Sequence, residues 1–368
     1  MSLNNHSQGH PKTLMVMAGG TGGHVYPAMA VADYLKVQGW KVVWLCTEGG
    51  MENRLIENKD YQKGTITMRG VRGKGLLGWL MLPIKLSVAF AQSYQVITKY
   101  QPNVVLGMGG FAAFPGGIMA WLLRKPLVIH EQNSVAGLTN KTLAHVAKRL
   151  LVAFPSAFAK QLLAGKAQLV GNPVRADITQ VKPPASRLEQ RTGKLRLLVV
   201  GGSLGAQALN EVLPKALAEI SYEQRPLVVH QAGEKHIDAL QANYQAANVV
   251  AETKAFIHDI AAMYDWADIV ICRAGALTVA ELSAVGVASI LVPFPFAVDD
   301  HQTTNAHYLS DAGAAILIPQ SVFTVASVAT LLKSLTRQTC LEMAVKARAL
   351  GKPKATASVS NICMELAR

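Results

Sequence analysis

The sequence predicts an α/β protein with two similar halves, each built on a parallel β-sheet. Apolar strand segments alternate with helical patterns along the whole chain of 368 residues, which is typical of α/β folds. A strand, a glycine-rich turn and a helix follow one another over residues 13–35, and the same succession returns over residues 195–213. A chain of this length is long for one hydrophobic core and comfortable for two domains.

The first glycine turn predicts an anion site. Residues 14–18 are an apolar run typical of a strand buried on both faces. The turn that follows contains Gly19, Gly20, Gly22 and Gly23, whose backbone N–H groups can approach a ligand closely. Helical spacing starts at Val25, and Pro27 suits the first helical turn. The start of this helix is therefore a site for a phosphate, with His24 beside it. The spacing does not fit a P-loop, and a purely structural turn is the alternative.

Two further segments shape the first half, after a second predicted strand at residues 40–47. Residues 104–123 carry no charge, but Gly109 and Gly110 would break a lipid-exposed helix, so we predict a buried strand, a turn and a helix rather than a membrane span. Residues 126–144 begin as a strand that ends in His130, Glu131, Gln132 and Asn133. Open α/β sheets bind ligands at this end of a strand, although Glu131 alone would also suit a structural cap.

The second half predicts another anion site. Residues 170–194, with an Asn-Pro turn and a polar stretch, predict a linker, and strands are predicted at residues 226–233, 248–257 and 267–275. Gly275 opens a helix whose first N–H groups, at Ala276, Leu277 and Thr278, are free to bind an anion. Glu281 lies one turn further, where its carboxylate can reach hydroxyl groups of a ligand. Residues 325–335 and 336–350 are helical in pattern.

No metal site is predicted. The neighbouring Asp299 and Asp300 lack the Asp-x-Asp spacing that often holds a divalent metal on a sugar nucleotide. The four cysteines are scattered without a Cys-x-x-Cys pair, which gives no zinc site and favours a reducing compartment. The polar N-terminus shows no signal-peptide pattern.

The positive charge is concentrated in the first half. Residues 1–175 hold 19 Lys and Arg against 6 Asp and Glu, which accounts for the whole net charge of +13. Such a surface favours an anionic partner, either a lipid surface or nucleic acid, and no nucleic-acid-binding motif is present. Residues 68–86 predict a peripheral membrane contact, or else a core helix after a basic loop. The cations and apolar residues concerned are Arg69, Arg72, Lys74, Leu77, Trp79 and Leu80.

A set of linked motifs resembles the MurG family of bacterial peptidoglycan glycosyltransferases. They are, in order, GGTGGH, RGKG, VLGMGG, HEQN with AGLTNK, GNPVR, VVGGS-x-GA, and RAGALTVAE followed by DDHQ…NA. The resemblance runs from about Leu14 to the C-terminal helices. One departure is Leu204, where some members carry Gln.

The resemblance implies a GT-B fold, with two Rossmann-like domains whose parallel sheets face each other across a cleft. Residues 1–174 would form the acceptor and membrane-associating domain, joined by the C-terminal segment 346–368, and residues 175–345 the UDP-GlcNAc domain. The implied reaction is inverting transfer of N-acetylglucosamine from UDP-GlcNAc to the 4-hydroxyl of undecaprenyl-diphosphate-linked MurNAc-pentapeptide. It needs no metal or cofactor. The implied location is peripheral, on the cytoplasmic face of the bacterial inner membrane.

The resemblance also implies roles for individual residues. Ser203 and the N–H groups after Gly275 resemble the diphosphate contacts, the Ile257 backbone the uracil contact, and Glu281 the ribose contact. Gln302 and Asn305 resemble the contacts to the GlcNAc hydroxyls. The complete implied donor site comprises Thr21, Gly22, Gly23, Asn133, Arg175, Ser203, Ile257, Ala276, Leu277, Thr278, Val279, Ala280, Glu281, Gln302 and Asn305.

A transferase of this kind needs a general base, because the acceptor hydroxyl loses a proton as it attacks. His24 and Glu131 are the candidates, and we favour His24 because an ordinary imidazole titrates near neutral pH. The alternative role for His24 is to bind the lipid diphosphate.

Three other classes of protein remain open from the sequence. A dinucleotide-dependent oxidoreductase would need Gly-x-Gly-x-x-Gly and no second glycine turn. A UDP-GlcNAc 2-epimerase would share the two-domain plan but use no lipid acceptor, and a non-enzymatic binding module would leave two phosphate sites unexplained.

Overall fold

A computed structural model describes residues 11–68, 81–202 and 205–367. The chain divides into two compact units. The first unit comprises Met1–Gln132, Ala136–Pro173 and Lys354–Arg368, and the second comprises Asn133–Val135 and Val174–Pro353. The C-terminal segment of the first unit begins at Lys354.

The first unit is a parallel sheet flanked by helices. Its strands are β1 (Thr13–Met17), β2 (Lys41–Thr47), β3 (Gln62–Ile66), β4 (Val104–Gly107), β5 (Leu127–Glu131), β6 (Arg149–Val152) and β7 (Ala167–Leu169). They are hydrogen-bonded in the order β3-β2-β1-β4-β5-β6-β7, with every described pair parallel. Its helices are α1 (Gly22–Val37), α2 (Met51–Leu55), α3 (Leu82–Tyr100), α4 (Ala113–Leu122), α5 (Leu138–Leu143) and α6 (Ala159–Leu163), with the C-terminal α16 (Ala355–Leu366).

The alternation of side chains along β1 builds a core on each face of this sheet. Leu14 and Val16 pack with residues of α1 and α16, whereas Met15 and Met17 pack with residues of α3 and α4. Every residue of β1 is buried, which confirms the predicted strand covered on both faces.

The second unit repeats this plan. Its strands are β8 (Arg196–Val200), β9 (Leu227–Gln231), β10 (Glu252–Lys254), β11 (Ile269–Cys272), β12 (Ala288–Leu291) and β13 (Ala315–Leu317). Their order is β10-β9-β8-β11-β12-β13, again parallel throughout. The helices are α7 (Ala176–Thr179), α8 (Pro184–Leu188), α9 (Gln207–Ala218), α10 (Ile237–Ala246), α11 (Ile260–Trp266), α12 (Ala276–Val285), α13 (His301–Ser310), α14 (Val325–Ser334) and α15 (Arg337–Leu350), with short 3₁₀ turns at Glu234–His236, Val298–Asp300 and Gln320–Val322.

The predicted fold class, two Rossmann-like domains with parallel sheets, is confirmed. The uncharged segment 104–123 forms β4 and α4 as predicted. Within the described parts of the chain, no helix combines the length and the hydropathy needed to cross a membrane.

Two local predictions were wrong. Helix α1 begins at Gly22, so Pro27 lies inside it rather than in its first turn, and the Gly23 carbonyl lacks its usual helical N–H donor because proline has none. The predicted linker up to Lys194 is, from Val174 onward, part of the second unit. In this segment Arg187 is buried and donates to the carbonyl groups of Tyr264 and Gly286.

Candidate functional site

Each sheet has a point where the chain reverses its direction of winding, and glycine turns lie at both points. In the first unit β1 and β4 are neighbours although β2 and β3 lie on the other side of β1. The turn at Gly19–Gly23 follows β1, and Gly109 and Gly110 follow β4. Ligands of open α/β sheets bind at the carboxyl ends of such strands, so this edge is the candidate site of the first unit.

His24 is held in a defined orientation at this edge. Its Nδ1 lies 3.0 Å from the carbonyl oxygen of Gly19. A carbonyl only accepts hydrogen bonds, so in the neutral ring Nδ1 carries the proton and Nε2 keeps its lone pair. The ring lies against Gly109, where an added Cβ would come within 3.2 Å of Nε2. The half-buried imidazole is thus oriented to accept a proton at Nε2.

The two glycine turns touch through their backbones. Gly110 has φ +91°, and a Cβ on it would lie 2.6 Å from the Gly19 carbonyl oxygen. Only glycine combines this left-handed conformation with so close an approach. The contact fixes the Gly19 carbonyl that orients His24.

Glu131, the other predicted acid–base residue, stabilises the loop that follows β5. It is buried at the end of β5, and its Oε2 accepts hydrogen bonds from the Gly137 backbone N–H at 3.1 Å and from Asn140 Nδ2 at 2.8 Å. These contacts close the segment between β5 and α5. Of the two candidate bases in the described part of this edge, His24 is therefore the better placed.

In the second unit the start of one helix has no side-chain cap and is therefore a candidate anion site. Helix α12 follows β11 directly, its N-cap Gly275 has no side chain, and Val279 donates to the Gly275 carbonyl at 2.9 Å. The N–H groups of Ala276, Leu277 and Thr278 precede that first helical bond and have no partner among the described residues. They can bind an anion with the favourable end of the helix dipole. Val279 and Ala280 lie in the helix proper, and Val279 is fully buried.

Glu281 lies one turn along α12, and its side chain is buried. Its Oε2 accepts a hydrogen bond from the Tyr264 hydroxyl at 3.2 Å. Burial raises the pKa of Glu281 to about 7, although the positive charge of Arg175 and the Tyr264 hydrogen bond oppose the rise. Arg175, which also lies 3.7 Å from Asp177, is thus brought near Glu281. Because burial disfavours the ionised form of Glu281, a hydroxyl or a cation of a ligand that contacts this carboxylate would stabilise its negative charge.

Gln302 and Asn305, on α13, have part of their hydrogen-bonding capacity already used. Gln302 Oε1 accepts a hydrogen bond from the Phe294 N–H at 2.9 Å. The Nε2 group of Gln302 is therefore the part of this side chain that remains to bind a ligand. Asn305 is fully buried, accepts from the Ser134 N–H at 2.9 Å and donates to the Ala274 carbonyl at 3.2 Å. Asn305 therefore fixes the segment Asn133–Val135, which contains the predicted donor contact Asn133.

The remaining predicted residues lie partly inside and partly outside the described ranges. Ile257 lies in the loop between β10 and α11, and its backbone N–H and carbonyl have no hydrogen-bond partner among the described residues. Thr21 is the exposed N-cap of α1 and precedes Gly22 and Gly23. Eight of the residues named above fall outside the described ranges: Arg69, Arg72, Lys74, Leu77, Trp79, Leu80, Ser203 and Leu204.

Two residues beside the site were missed by the sequence reasoning. Tyr264 holds Glu281, and Glu52, in α2, lies against the first glycine turn. Neither stands in a motif, and each meets its partner only through the packing of separate elements.

Comparison with known proteins gives a consistent family. Residues 14–152 match the glycosyltransferase family 28 N-terminal domain, and residues 196–359 match the C-terminal domain of the same family. A protein of Nitrosospira multiformis is 55% identical over 96% of this chain and 98% of its own length. One of Dechloromonas aromatica is 54% identical over 97% and 99%. Both are named UDP-N-acetylglucosamine–N-acetylmuramyl-(pentapeptide) pyrophosphoryl-undecaprenol N-acetylglucosamine transferase.

Solved structures include one that is similar to this chain in both sequence and fold, and others that share only the fold. The crystal structure of Acinetobacter baumannii MurG is 43% identical, with a TM-score of 0.84 over 96% of this chain and all of that chain. The UDP-GlcNAc 2-epimerase of Neisseria meningitidis is 12% identical, with a TM-score of 0.64 over 96% of this chain and all of that one. The second similarity is one of fold alone.

Proposed function

This chain belongs to glycosyltransferase family 28, among the MurG transferases, and from that membership we propose its reaction in detail. It transfers N-acetylglucosamine from UDP-GlcNAc to the 4-hydroxyl of the muramyl residue of undecaprenyl-diphosphate-linked MurNAc-pentapeptide. The observation that carries the proposal is 55% identity to such a transferase over nearly the full length. The residues at the two sheet edges have the chemistry that this reaction requires.

The second unit binds the donor. The diphosphate lies at the start of α12, where three free N–H groups and the helix dipole stabilise the charge that grows on UDP as it leaves. One well-placed donor of this kind contributes about 3–4 kcal/mol to the transition state. Glu281 accepts hydrogen bonds from the ribose hydroxyls, the backbone of Ile257 reads the uracil, and Gln302 donates from Nε2 to a sugar hydroxyl.

The first unit activates the acceptor. His24 takes the proton of the 4-hydroxyl at Nε2 while the oxygen of that hydroxyl attacks the anomeric carbon. The new O–C bond forms on the face opposite to UDP, the bond to the diphosphate oxygen breaks, and the configuration inverts. The resulting imidazolium keeps its Nδ1–H bond to the Gly19 carbonyl, which stabilises the positive charge.

The first unit also contacts the membrane, because the polyprenyl tail of the acceptor stays in the bilayer. Exposed apolar side chains on α3 and α4 support this, among them Ile84 at 58% and Trp121 at 49% exposure. Trp121 borders a groove of about 490 Å³ that is also lined by Arg124, Lys125 and Lys148. The rings of Phe90 and Phe114, 6.0 Å apart, pack the two helices together. Apolar groups beside cations match an anionic lipid surface.

The cytoplasmic face is the side we propose. All four cysteines are free and buried, which fits a reducing compartment. The undescribed segment 69–80 adds three cations and the apolar group around Trp79 to the same half.

One assay tests the reaction and separates it from the epimerase class. UDP release from UDP-GlcNAc is measured with and without a lipid-linked muramyl pentapeptide. We expect release only with the acceptor, together with a disaccharide-lipid product. Acceptor-independent UDP release, with free sugar as the product, would refute the transferase.

A further inference from the structure

Glu52 is a buried carboxylate beside the first glycine turn. It lies in α2 with no exposed surface, and the described residues give it no ion pair. Its Oε1 accepts hydrogen bonds from the Thr47 N–H at 2.8 Å and the Thr47 hydroxyl at 2.7 Å. A buried charge without a cation is costly, so the hydrogen bonds it receives are needed to keep it there.

The other carboxylate oxygen faces the glycine turn. Oε2 receives the N–H of Gly20 at 3.4 Å, and it lies so close to Gly19 that a Cβ there would be 2.8 Å away. The N–H of Gly20 and the carbonyl of Gly19 belong to one peptide group, and that carbonyl is bonded to His24 Nδ1 at 3.0 Å. One peptide group therefore connects Glu52 to His24.

This connection has two physical consequences. In a trans peptide the N–H and the C=O point in opposite directions, so fixing one towards Glu52 fixes the other towards His24. A negative charge at the N–H also polarises the amide and makes its oxygen a stronger acceptor. Both effects favour the proton on Nδ1 and leave the lone pair on Nε2.

We propose that Glu52 is the positioning residue that sets the tautomer of His24 through the Gly19–Gly20 peptide group. The proposal rests on the proposed role of His24 as the general base. In serine proteases a carboxylate that holds a catalytic imidazole directly contributes about 10⁴ in rate. Because a peptide group intervenes here, we expect a smaller effect, about 10- to 100-fold, in the range that a misplaced catalytic group costs.

The variant Glu52→Gln tests this with little change of shape. Both carboxylate oxygens accept a backbone N–H, and a carboxamide has only one acceptor oxygen, so one N–H must lose its partner. We expect kcat to fall about 10- to 100-fold, with the KM for UDP-GlcNAc within about twofold because the groups proposed to bind the diphosphate, the ribose and the uracil lie in the second unit. The matched control is Asp33→Asn. Asp33 lies on the same helix as His24, but its carboxylate binds Lys59 and Tyr61 instead. Its kcat should stay at the wild-type value.

A direct readout is the ¹⁵N spectrum of the histidine side chains, with the His24 signals assigned by their loss in His24→Gln. The wild-type enzyme should show the Nδ1–H tautomer, and Glu52→Gln should gain the Nε2–H form. An Nε2–H tautomer in the wild type would overturn the proposal without any need for a folded variant. So would an unchanged kcat and spectrum in Glu52→Gln, or an equal loss of kcat in Asp33→Asn. If His24→Gln itself keeps its kcat, it is the role of His24 as base that fails.

Discussion

The hydroxyl of Tyr264 donates to Glu281 at a distance of 3.2 Å, and both side chains are buried. A carboxylate placed there for stability would have a cation in contact, whereas Arg175 acts on Glu281 without any ion pair within 4.0 Å in the described part of the chain. The free protein thus keeps a buried acceptor at a cost in stability, as expected of a residue whose partner is a ligand.

Removal of the Glu281 charge should weaken donor binding. In Glu281→Gln each ribose hydroxyl loses a charge-assisted hydrogen bond worth about 1.5–3 kcal/mol. We therefore expect the KM for UDP-GlcNAc to rise roughly 10- to 100-fold, with a smaller change in kcat. Glu252→Gln, an exposed residue of the same unit paired with Lys254, is the control and should behave as wild type. An unchanged KM in a folded Glu281→Gln would exclude the ribose contact.

The same substitution should stabilise the free protein at alkaline pH. The pKa of Glu281 rises from 4.5 to about 7 on folding, so the folded state binds more protons between these values and stability falls as pH rises through this range. The penalty is complete above about pH 7 and amounts to at most about 3 kcal/mol. Thermal unfolding should show Glu281→Gln more stable than wild type at pH 8 and equal to it at pH 4. A lower melting temperature at pH 8 would contradict the raised pKa.

The sequence predicted the parts of this molecule that depend on local pattern. The apolar run before Gly19 and the start of α12 after Gly275 were both read correctly, because strand burial and helix starts leave signatures in neighbouring residues. Pro27 was misplaced because the glycines at positions 22 and 23 have poor helix propensity, yet they form the first turn of α1.

The sequence did not predict which residues of other elements contact the site residues. Tyr264 and Glu281 are 17 residues apart and lie in different helices, and they meet because α11 and α12 pack against each other. Glu52 lies in a charged segment that reads as surface, and it is buried because α2 folds back over the end of β2. Such pairings depend on tertiary packing, so no local period or motif reports them.

Loss of the His24 imidazole should affect the chemical step. His24→Ala should lower kcat by roughly 10²–10⁴, the usual contribution of a general base, and leave the affinity for UDP-GlcNAc nearly intact. Glu131→Gln keeps the loop contacts of that side chain in part and should lose less than His24→Ala. A fall of less than tenfold in His24→Ala, with a larger one in Glu131→Gln, would move the base to Glu131.

Transfer should not need a divalent metal. The sequence contains no Asp-x-Asp pair of the kind that often holds a divalent metal on a sugar nucleotide. The charge on the leaving UDP is instead met by the first N–H groups of α12. Activity should persist after dialysis against EDTA. An enzyme that is inactive in EDTA and restored by Mg²⁺ would refute this prediction.

Binding to membranes should depend on anionic lipid and on salt. Each Lys or Arg near an anionic leaflet contributes about 1 kcal/mol, and added salt screens it, so sedimentation with vesicles should show binding to anionic lipid that falls between low and high salt. Replacing Ile84, Val88 and Trp121 together with serine should weaken it, as should replacing Arg124, Lys125 and Lys148 with glutamine. Val250→Ser, at an 89% exposed position of the second unit, is the control and should bind as wild type. Turnover of a soluble acceptor analogue should persist in all of these variants. Equal binding to neutral and anionic vesicles, together with no effect of the serine replacements, would show that these helices do not face the membrane, because neither the charge nor the apolar groups would then contribute.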